Sequence, residues 1–270
     1  MKLAFIGGGN MAQALLAGLK SQNFIMSDIT IVELDDNKRD ALQEKFGVLT
    51  TTNLADTVNC ETIVLAIKPQ QLPTLAKALA PLLSKQLVVS IAAGVRLKDL
   101  SFWLNNYQTI VRAMPNTPAQ IQAGITGLYA LPQVSKQQRS MADQVLSAAG
   151  VTLWLDTEDK LDAVTAISGS GPAYVFYLIE ALEEAALSLG LNAEDAKQLS
   201  IATFKGASLL ADASKNPVST LREQVTSKKG TTEQGLMSLE NSKVKAAIKL
   251  AAEKAHHRAI TLGDELANIN

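Results

Sequence analysis

Short apolar runs rich in β-branched residues alternate with stretches of helical periodicity in the N-terminal half of the chain. The runs are KLAFIG (2–7), DITIVEL (28–34), TIVLAI (62–67), LVVSIAA (87–93) and TIVRAM (109–114). Residues 12–22, 37–47 and 71–83, which lie between them, carry apolar residues at the spacing of amphipathic helices. This alternation predicts βαβ units and a mostly parallel, doubly wound sheet. Two later runs, GITGLYA (124–130) and VTLWLD (151–156), are expected to extend the sheet at an edge.

The pattern changes after Asp156, where alanine-rich helical segments follow one another almost to the C-terminus. One helix is predicted to begin at Pro172, because proline is favoured in a first helical turn. Another is predicted after Asn192, whose side chain can cap its first turn. A long final helix is expected from about Ser242 to about Leu262.

Many residues of this helical half are small, so its helices can approach one another closely. It carries more apolar faces than one small bundle needs, which favours a dimer interface built from helices. Close packing within one chain is the alternative. We therefore predict two domains, an α/β domain of residues 1–156 and an all-α domain of residues 157–270.

Composition narrows the class of protein. The chain has 270 residues, of which 47% are hydrophobic and 19% charged, and its net charge of −1 gives no electrostatic reason to expect a nucleic-acid or membrane partner. Cys60 is the single cysteine, and the adjacent His256 and His257 point in different directions on a helix, so no metal site is expected. No leader pattern or membrane-length apolar run is apparent, which favours a cytoplasmic enzyme or binding protein.

A glycine-rich turn follows the first predicted strand and opens a helix. Its sequence GGGNMA, residues 7–12, matches the G-x-G-x-x-G/A pattern of dinucleotide-binding Rossmann domains. Gly7 permits the tight turn, Gly9 lets the backbone approach a pyrophosphate, and Ala12 lets the helix lie close to the sheet. A glycine-rich turn without a ligand is the alternative interpretation.

Glu33 ends the second predicted strand, where an acidic side chain can accept hydrogen bonds from both hydroxyls of the adenosine ribose. It would also repel a 2′-phosphate, which favours NAD over NADP. Lys38 and Arg39 lie one turn further on and could neutralise such a phosphate. The residues alone therefore leave the choice of cofactor open.

Six motifs stand in the order and spacing of the pyrroline-5-carboxylate reductases, which this chain resembles over nearly its whole length. They are IGGGNM (6–11), AIKPQ (66–70), VVSIAAGV (88–95), RAMPNTPA (112–119), ISGSGPAYVF (167–176) and VTSKKGTT (225–232). The resemblance implies an NAD(P)H-dependent enzyme that reduces a cyclic imine to L-proline, the last step of proline biosynthesis. It also implies a Rossmann domain followed by a helical domain that forms a homodimer, sometimes assembled further.

The resemblance assigns cofactor-binding roles to residues at the ends of the predicted strands, where ligands of open parallel sheets bind. Adding Glu33, the predicted cofactor-binding residues are Ile6, Gly7, Gly8, Gly9, Asn10, Met11, Glu33, Asn53, Ala66, Ile67, Lys68, Pro69, Ala92, Ala93, Gly94, Met114, Pro115, Asn116 and Thr117. Lys68 as an ordinary loop lysine and 115–118 as a rigid turn are the simpler interpretations.

The polar segment VTSKKGTTEQG (225–235) carries the predicted substrate site, formed by Ser227, Gly230, Thr231 and Thr232. A turn that opens a helix can bind a carboxylate through free N–H groups and hydroxyls. We assign Thr232 the catalytic position, where it would hydrogen bond to the ring nitrogen without acting as a strong acid. The alternative is an ordinary helix start capped by Ser227 or Thr231.

Two departures from the family pattern are visible. Glu33 stands where many members carry residues suited to a 2′-phosphate, which puts the NADPH preference implied by the resemblance in doubt. Lys229 precedes Gly230 where the family has two adjacent glycines.

Three other functions are compatible with this architecture. A β-hydroxyacid dehydrogenase-like enzyme needs a lysine one turn into the helix after GSGP, but Val175 stands about there. Reduction of another small imine or keto acid, and nucleotide sensing without catalysis, are the further alternatives.

The segment ISGSGP is predicted to form a turn that opens a helix, and it does not match the G-x-S-x-G motif of serine hydrolases.

Overall fold

The computed structural model describes residues 1–268, which form two compact units. The first comprises Met1–Ser170 and the C-terminal segment from Ala255, and the second comprises Gly171–Lys254. Ile269 and Asn270, which end the predicted second domain, lie outside the described residues. Since Leu161 is fully buried in the first unit, packing divides the chain later than Asp156, and the functional boundary at 156/157 stays a prediction.

A single sheet forms the centre of the first unit. Its strands are β1 Leu3–Ile6, β2 Ile29–Val32, β3 Leu49–Thr51, β4 Thr62–Leu65, β5 Leu87–Ser90, β6 Ile110–Met114, β7 Gly124–Ala130 and β8 Gly150–Trp154. They lie in the order β3-β2-β1-β4-β5-β6-β7-β8, and every neighbouring pair is parallel except β6 with β7. This mostly parallel order is that of a Rossmann fold and confirms the predicted fold class.

Helices cover both faces of the sheet. They are α1 Asn10–Ser21, α2 Asp36–Phe46, α3 Leu72–Leu79, α4 Leu97–Trp103, α5 Lys136–Leu146 and α6 Lys160–Val164. Alternate residues of β1 enter different hydrophobic clusters, with Leu3 and Phe5 in one and Ala4 and Ile6 in the other. All four are buried, as expected for a central strand of a doubly wound sheet. Cys60 is buried too, and this burial raises the pKa of its thiol.

The short strand β3 was not predicted. It pairs only with β2, its sequence is Leu-Thr-Thr, and Leu49 is exposed. A three-residue edge strand with one apolar side chain gives no recognisable alternation, so periodicity could not reveal it.

The predicted turn at ISGSGP is wrong. Residues Thr165–Gly169 instead form a π-helical segment that continues α6, and Ser170 keeps helical angles of φ −82° and ψ −23°. The hydroxyl of Ser168 donates to the carbonyl oxygen of Val164 at 3.0 Å. Gly169 lies close to the end of β6, because a Cβ there would lie 2.7 Å from Cε of Met114. Short π-helical segments of this kind are frequent at functional sites.

The second unit is helical. Its helices are α7 Gly171–Ser188, α8 Ala193–Ala213, α9 Val218–Gln224 and α10 Thr231–Asn241, together with the start of α11 Val244–Ala267. Asn192 caps α8 as predicted, since its Oδ1 accepts a hydrogen bond of 2.9 Å from the N–H of Asp195. The final helix begins near the predicted Ser242 but continues past Leu262.

A single copy of the chain leaves much apolar surface of these helices exposed. Phe176, Tyr177, Leu209 and Leu210 are each more than half exposed, at 65%, 71%, 59% and 58%. Large contiguous apolar patches on a soluble monomer mark interaction surfaces. Across residues 1–268, none of the helices combines the length and apolar character that crossing a bilayer requires.

Candidate active site

Gly7 makes the tight turn after β1. Its φ of +100° is unfavourable for other residues, and a Cβ would lie 2.5 Å from the carbonyl oxygen of Ala66. Its N–H donates to the carbonyl oxygen of Val32 at 2.8 Å, which ties the turn to β2. Gly8 is confined as well, because a Cβ would lie 2.4 Å from Cδ1 of Leu42. Gly7 is therefore required by the protein's own backbone, whereas a side chain at Gly8 would require Leu42 to shift.

Gly9 differs, because none of the residues 1–268 requires a glycine there by its packing. Its φ is −70°, and a Cβ would meet no atom within 4 Å. Gly9 is also the N-cap of α1, which has neither a side-chain cap nor an acidic residue in its first turn. The following residues are Asn10, which is exposed, and Met11, which is half-buried. An uncapped helix start with open space before it can take the pyrophosphate of a dinucleotide.

Glu33 is held beside this turn by backbone hydrogen bonds. Its Oε2 accepts from the N–H of Gly8 at 3.0 Å, and its Oε1 accepts from the N–H groups of Leu34 at 2.9 Å and Asp35 at 3.2 Å. The carboxylate thus lies at the carboxyl end of β2, next to the glycine-rich turn. This is the place from which an acidic residue reaches an adenosine ribose.

The basic residues after Glu33 are differently engaged. Arg39 donates to the carbonyl oxygen of Glu33 at 2.9 Å and forms an ion pair with Asp36. Its side chain is only 19% exposed. Lys38 lies on the exposed side of α2, where its N–H is capped by Asp35. Arg39 therefore supports the backbone that carries Glu33, and its guanidinium already has an anionic partner.

The segment after β4 lies next to the glycine-rich turn. The N–H of Ala66 donates to the carbonyl oxygen of Ile6 at 2.8 Å, and Cγ2 of Ile67 would be 2.8 Å from a Cβ at position 7. Lys68 is exposed and begins a short 3-10 turn at Pro69. These residues border the carboxyl ends of β1 and β4.

Asn53 also begins a 3-10 turn. Its Oδ1 accepts from the N–H of Ala55 at 3.0 Å, and its own N–H donates to Oγ1 of Thr51 at the end of β3. Its amide nitrogen stays on the exposed surface. The side chain thus has a structural task, and the adenosine contact implied by the resemblance stays a prediction.

The turn after β5 is covered by the end of α11. Gly94 has φ +80°, and a Cβ there would lie 3.0 Å from Cδ1 of Leu266 and 3.2 Å from Cγ of Leu262. Ala92 is buried and Ala93 half-buried. The glycine is thus explained by the backbone turn and by packing, and only Ala93 offers partly exposed surface.

The loop after β6 is held by Asn116. Its Nδ2 donates to the carbonyl oxygen of Ser168 at 3.1 Å, and its Oδ1 accepts from the N–H of Ile125 at 2.9 Å. Pro115 is buried like Asn116, whereas Met114 is half-buried and Thr117 exposed. The predicted nicotinamide loop is therefore a fixed structure and more than a proline-bounded turn.

The sequence interpretation missed a buried cationic residue in this region. Arg112 in β6, with 4% of its side chain exposed, places Nη1 3.0 Å from Oε1 of Glu158 and Nη2 3.2 Å from Oδ1 of Asp162. Nearby, Arg96 pairs with Asp264 at 2.7 Å, and this hydrogen bond raises the pKa of Arg96. The strand pattern around Arg112 could have raised the question, since a charged residue in a buried strand requires partners.

The predicted substrate residues lie in the second unit. Ser227, Thr231 and Thr232 are exposed, and Gly230 is half-buried. A Cβ on Gly230 would lie 3.1 Å from the carbonyl oxygen of Ser227, so the turn is tight at this point. Lys229 adopts φ +61°, the left-handed conformation that a glycine would take without strain.

The start of α10 does not have the side-chain cap that was the alternative interpretation. Its N-cap is Gly230, and neither Ser227 nor Thr231 caps it. Glu233 in the first turn instead accepts from the N–H of Lys229 at 2.7 Å through Oε2. Thr231 and Thr232 in this first turn are exposed in a single copy of the chain, as a carboxylate-binding turn requires.

Comparison with known proteins identifies the family. The family model for pyrroline-5-carboxylate reductase dimerisation matches residues 158–262, and that for coenzyme F420-dependent NADP oxidoreductase matches residues 2–94. A curated pyrroline-5-carboxylate reductase from Pseudomonas aeruginosa is 41% identical, over 98% of each chain. The chain belongs to the pyrroline-5-carboxylate reductase family. The resemblance that the motifs suggested is thereby confirmed.

Solved structures of pyrroline-5-carboxylate reductases share the whole fold. The enzyme from Coxiella burnetii superimposes with a TM-score of 0.93 at 39% identity, covering 97% of this chain and 98% of its own. The Plasmodium falciparum enzyme, solved with NADP bound, gives a TM-score of 0.85 at 28% identity, with the same coverage. A pyridine nucleotide cofactor and a homodimer are therefore supported for this chain.

Proposed function

We propose that this protein reduces 1-pyrroline-5-carboxylate to L-proline with NAD(P)H. The near full-length relationship to the Pseudomonas aeruginosa enzyme carries the proposal, since it covers the glycine-rich turn and the segment 225–235 together. Both units have the features that the reaction needs. The first offers an uncapped helix behind Gly9, and the second offers an uncapped helix behind Gly230.

The cofactor fits the first unit because Gly9 leaves room that no other described residue fills. Bound NAD(P)H would supply a hydride to the imine carbon, while the ring nitrogen carries a proton. We assign the pyrophosphate to residues 6–11 and the nicotinamide side to Met114–Thr117, bordered by Ala66–Pro69 and Ala92–Gly94. Asn53 is assigned to the adenosine side.

We further propose that Glu33 favours NADH over NADPH in this chain. Its carboxylate is fixed beside the glycine-rich turn by three backbone N–H groups, those of Gly8, Leu34 and Asp35. A 2′-phosphate would meet this negative charge, and Arg39 is already paired with Asp36. The NADP found in the Plasmodium falciparum enzyme is a property of that protein.

The substrate carboxylate is assigned to the turn formed by Ser227 and Gly230–Thr232. The N–H groups at the start of α10 and the adjacent hydroxyls supply donors and a favourable helix dipole. Thr232 would hold the ring nitrogen, or a water beside it, in place by a hydrogen bond. A threonine hydroxyl is a poor acid, so the proton would come from solvent or from substrate that is already protonated.

Two features favour this reaction over alcohol oxidation on the same architecture. Oxidation of a hydroxyl needs a base, and α7 carries Val175 where the related dehydrogenases would place a lysine. An iminium carbon is already strongly electrophilic, so positioning and exclusion of water are the main demands on the protein.

We also propose a cytoplasmic location for the protein and its assembly beyond a homodimer.

The test follows nicotinamide oxidation with 1-pyrroline-5-carboxylate, using NADH and NADPH in separate series. We expect turnover when 1-pyrroline-5-carboxylate and the reduced nucleotide are both present. We expect none when a small keto acid replaces the imine. Binding of either nucleotide without turnover would favour the nucleotide-sensing alternative. Turnover only with another imine or a keto acid would assign a different substrate to the same scaffold.

A further inference from the structure

The buried Arg112 lies directly before the loop that is assigned to the nicotinamide. Met114, the first residue of that loop, ends the same strand β6. The partners of Arg112 belong to a later part of the chain, with Glu158 just before α6 and Asp162 within it. The ion pairs therefore fix the start of α6 to the strand that carries the loop.

The far end of the same segment is fixed to the loop itself. Asn116 donates to the carbonyl oxygen of Ser168, which lies in the π-helical segment that continues α6. Gly169 packs closely against Met114, since a Cβ there would lie 2.7 Å from Cε of Met114. Residues 158–169 thus hold the loop at two points, by charge at one end and by hydrogen bonding and packing at the other.

Glu158 links this arrangement to a second cofactor segment. The Oε1 atom that pairs with Arg112 also accepts from the N–H of Leu97 at 2.7 Å. Leu97 begins α4, which follows the turn Ala92–Gly94. One carboxylate oxygen therefore connects the segment after β5 with strand β6.

We propose that Arg112, with Asp162 and Glu158, positions the Met114–Thr117 loop for the nicotinamide half of the cofactor. The inference rests on the proposed function, since that function assigns the loop to the nicotinamide. None of the three is a catalytic residue, because each acts through the backbone that it holds. The adenosine half is outside their reach, since Glu33 and the glycine-rich turn belong to β1 and β2.

The primary test is Asp162→Asn, which removes one charge and preserves the side-chain shape. We expect kcat with 1-pyrroline-5-carboxylate to fall about tenfold or more, because small misplacements of reacting groups are costly. Competitive inhibition by ADP-ribose or 2′-phospho-ADP-ribose, which lack the nicotinamide, should stay within about twofold of the parent value. A general loss of folding would instead lower kcat and also weaken the binding of these inhibitors.

Asp159→Asn is the matched control. Asp159 lies in the same turn and is exposed, and it has no ion pair with Arg112 among the described residues. This variant should leave both kcat and the inhibition constant for ADP-ribose unchanged. Arg112→Lys, which keeps the buried charge, should retain more activity than Arg112→Met, and this partial rescue would not follow from a purely steric role.

Hydrogen–deuterium exchange of the unliganded protein gives a readout that does not depend on turnover. Asp162→Asn should speed exchange in residues 114–125 while the strands β1, β2 and β4 stay protected. Equal kinetic effects of Asp162→Asn and Asp159→Asn, or an equal loss of ADP-ribose affinity, would overturn the proposal. Absence of turnover in the parent protein would reject the proposed function instead, and the exchange result would still decide whether the ion pairs hold the loop.

Discussion

The backbone N–H of Gly8 donates a hydrogen bond of 3.0 Å to Oε2 of Glu33. Glu33, which would bind the ribose hydroxyls, is thereby hydrogen bonded to the turn that would bind the pyrophosphate. Glu33 cannot move away to admit a 2′-phosphate without losing this bond and those from Leu34 and Asp35. Cofactor choice and the shape of the glycine-rich turn are therefore linked in this protein.

Glu33→Ser should shift the preference toward NADPH. The change removes the negative charge facing a 2′-phosphate, and a hydroxyl can donate to a phosphate oxygen. We expect the ratio of kcat/KM for NADPH to that for NADH to rise about tenfold, the effect of roughly one charge-assisted hydrogen bond. Glu44→Ser, which removes a charge from the exposed side of α2, should leave the ratio unchanged. An unchanged ratio in Glu33→Ser would show that Glu33 does not contact the ribose.

The sheet and the main helices could be predicted because their side chains report local structure. Apolar runs in the sequence predicted β1, β2, β4, β5, β6, β7 and β8. The cap of α8 was predicted because asparagine is a favoured N-cap residue and Asn192 precedes a helical pattern. The elements that could not be predicted either had too short a pattern, as β3 does, or depended on long-range packing. In the π-helical segment at Thr165–Gly169, Gly169 packs on Met114, and Gly169 and Met114 are far apart in the sequence.

The candidate site was predictable only where a motif has a local reason. Gly7 could be assigned from the need for a tight turn, and its φ of +100° agrees. Gly94 also has a positive φ, of +80°, but packing beneath Leu262 and Leu266 from the other end of the chain adds a second cause that no local motif shows. The ion pairs of Arg112 join residues separated by 46 and 50 positions, so no spacing rule indicates them.

Lys229→Val should weaken substrate binding. Lys229 holds φ +61° at the turn before Gly230, and a β-branched residue is unfavourable in that conformation. A left-handed backbone costs about 1–2 kcal/mol even for ordinary residues, so the turn should open and the substrate KM should rise about tenfold. Lys229→Gly should leave KM near the parent value, since glycine adopts this conformation freely.

Lys228→Val provides the control for that change, because Lys228 has no positive φ and loses the same charge. If Lys228→Val and Lys229→Val raise KM equally, the effect comes from the lost positive charge and the backbone account is wrong.

Thr232→Ala should raise the substrate KM with little change in kcat. The hydroxyl is proposed to position the ring nitrogen, and solvent or the substrate itself supplies the proton. Ser238→Ala removes a hydroxyl from an exposed position further along α10 and should change neither constant. A fall in kcat of about a hundredfold, with KM unaffected, would instead assign Thr232 a required acid role.

Alanine substitutions at Gly7 and Gly9 should separate folding from cofactor binding. Gly7→Ala places a methyl group 2.5 Å from a backbone oxygen and forces a positive φ, so we expect a loss of about 2 kcal/mol or more in the free energy of unfolding. Gly9→Ala meets no protein atom within 4 Å. Its stability should change by less than about 1 kcal/mol, since a poorer N-cap is offset by lower entropy of the unfolded chain.

Cofactor affinity should fall most clearly in Gly9→Ala, the variant whose stability changes least. The methyl group of Gly9→Ala would enter the space assigned to the pyrophosphate, so the dissociation constant for NADH should rise about tenfold or more in a fully folded protein. Thermal unfolding and nucleotide titration of both variants measure the two effects separately. Parent-like NADH affinity in Gly9→Ala would mean that the pyrophosphate does not approach this helix, because the methyl group would enter a space that is open among the described residues.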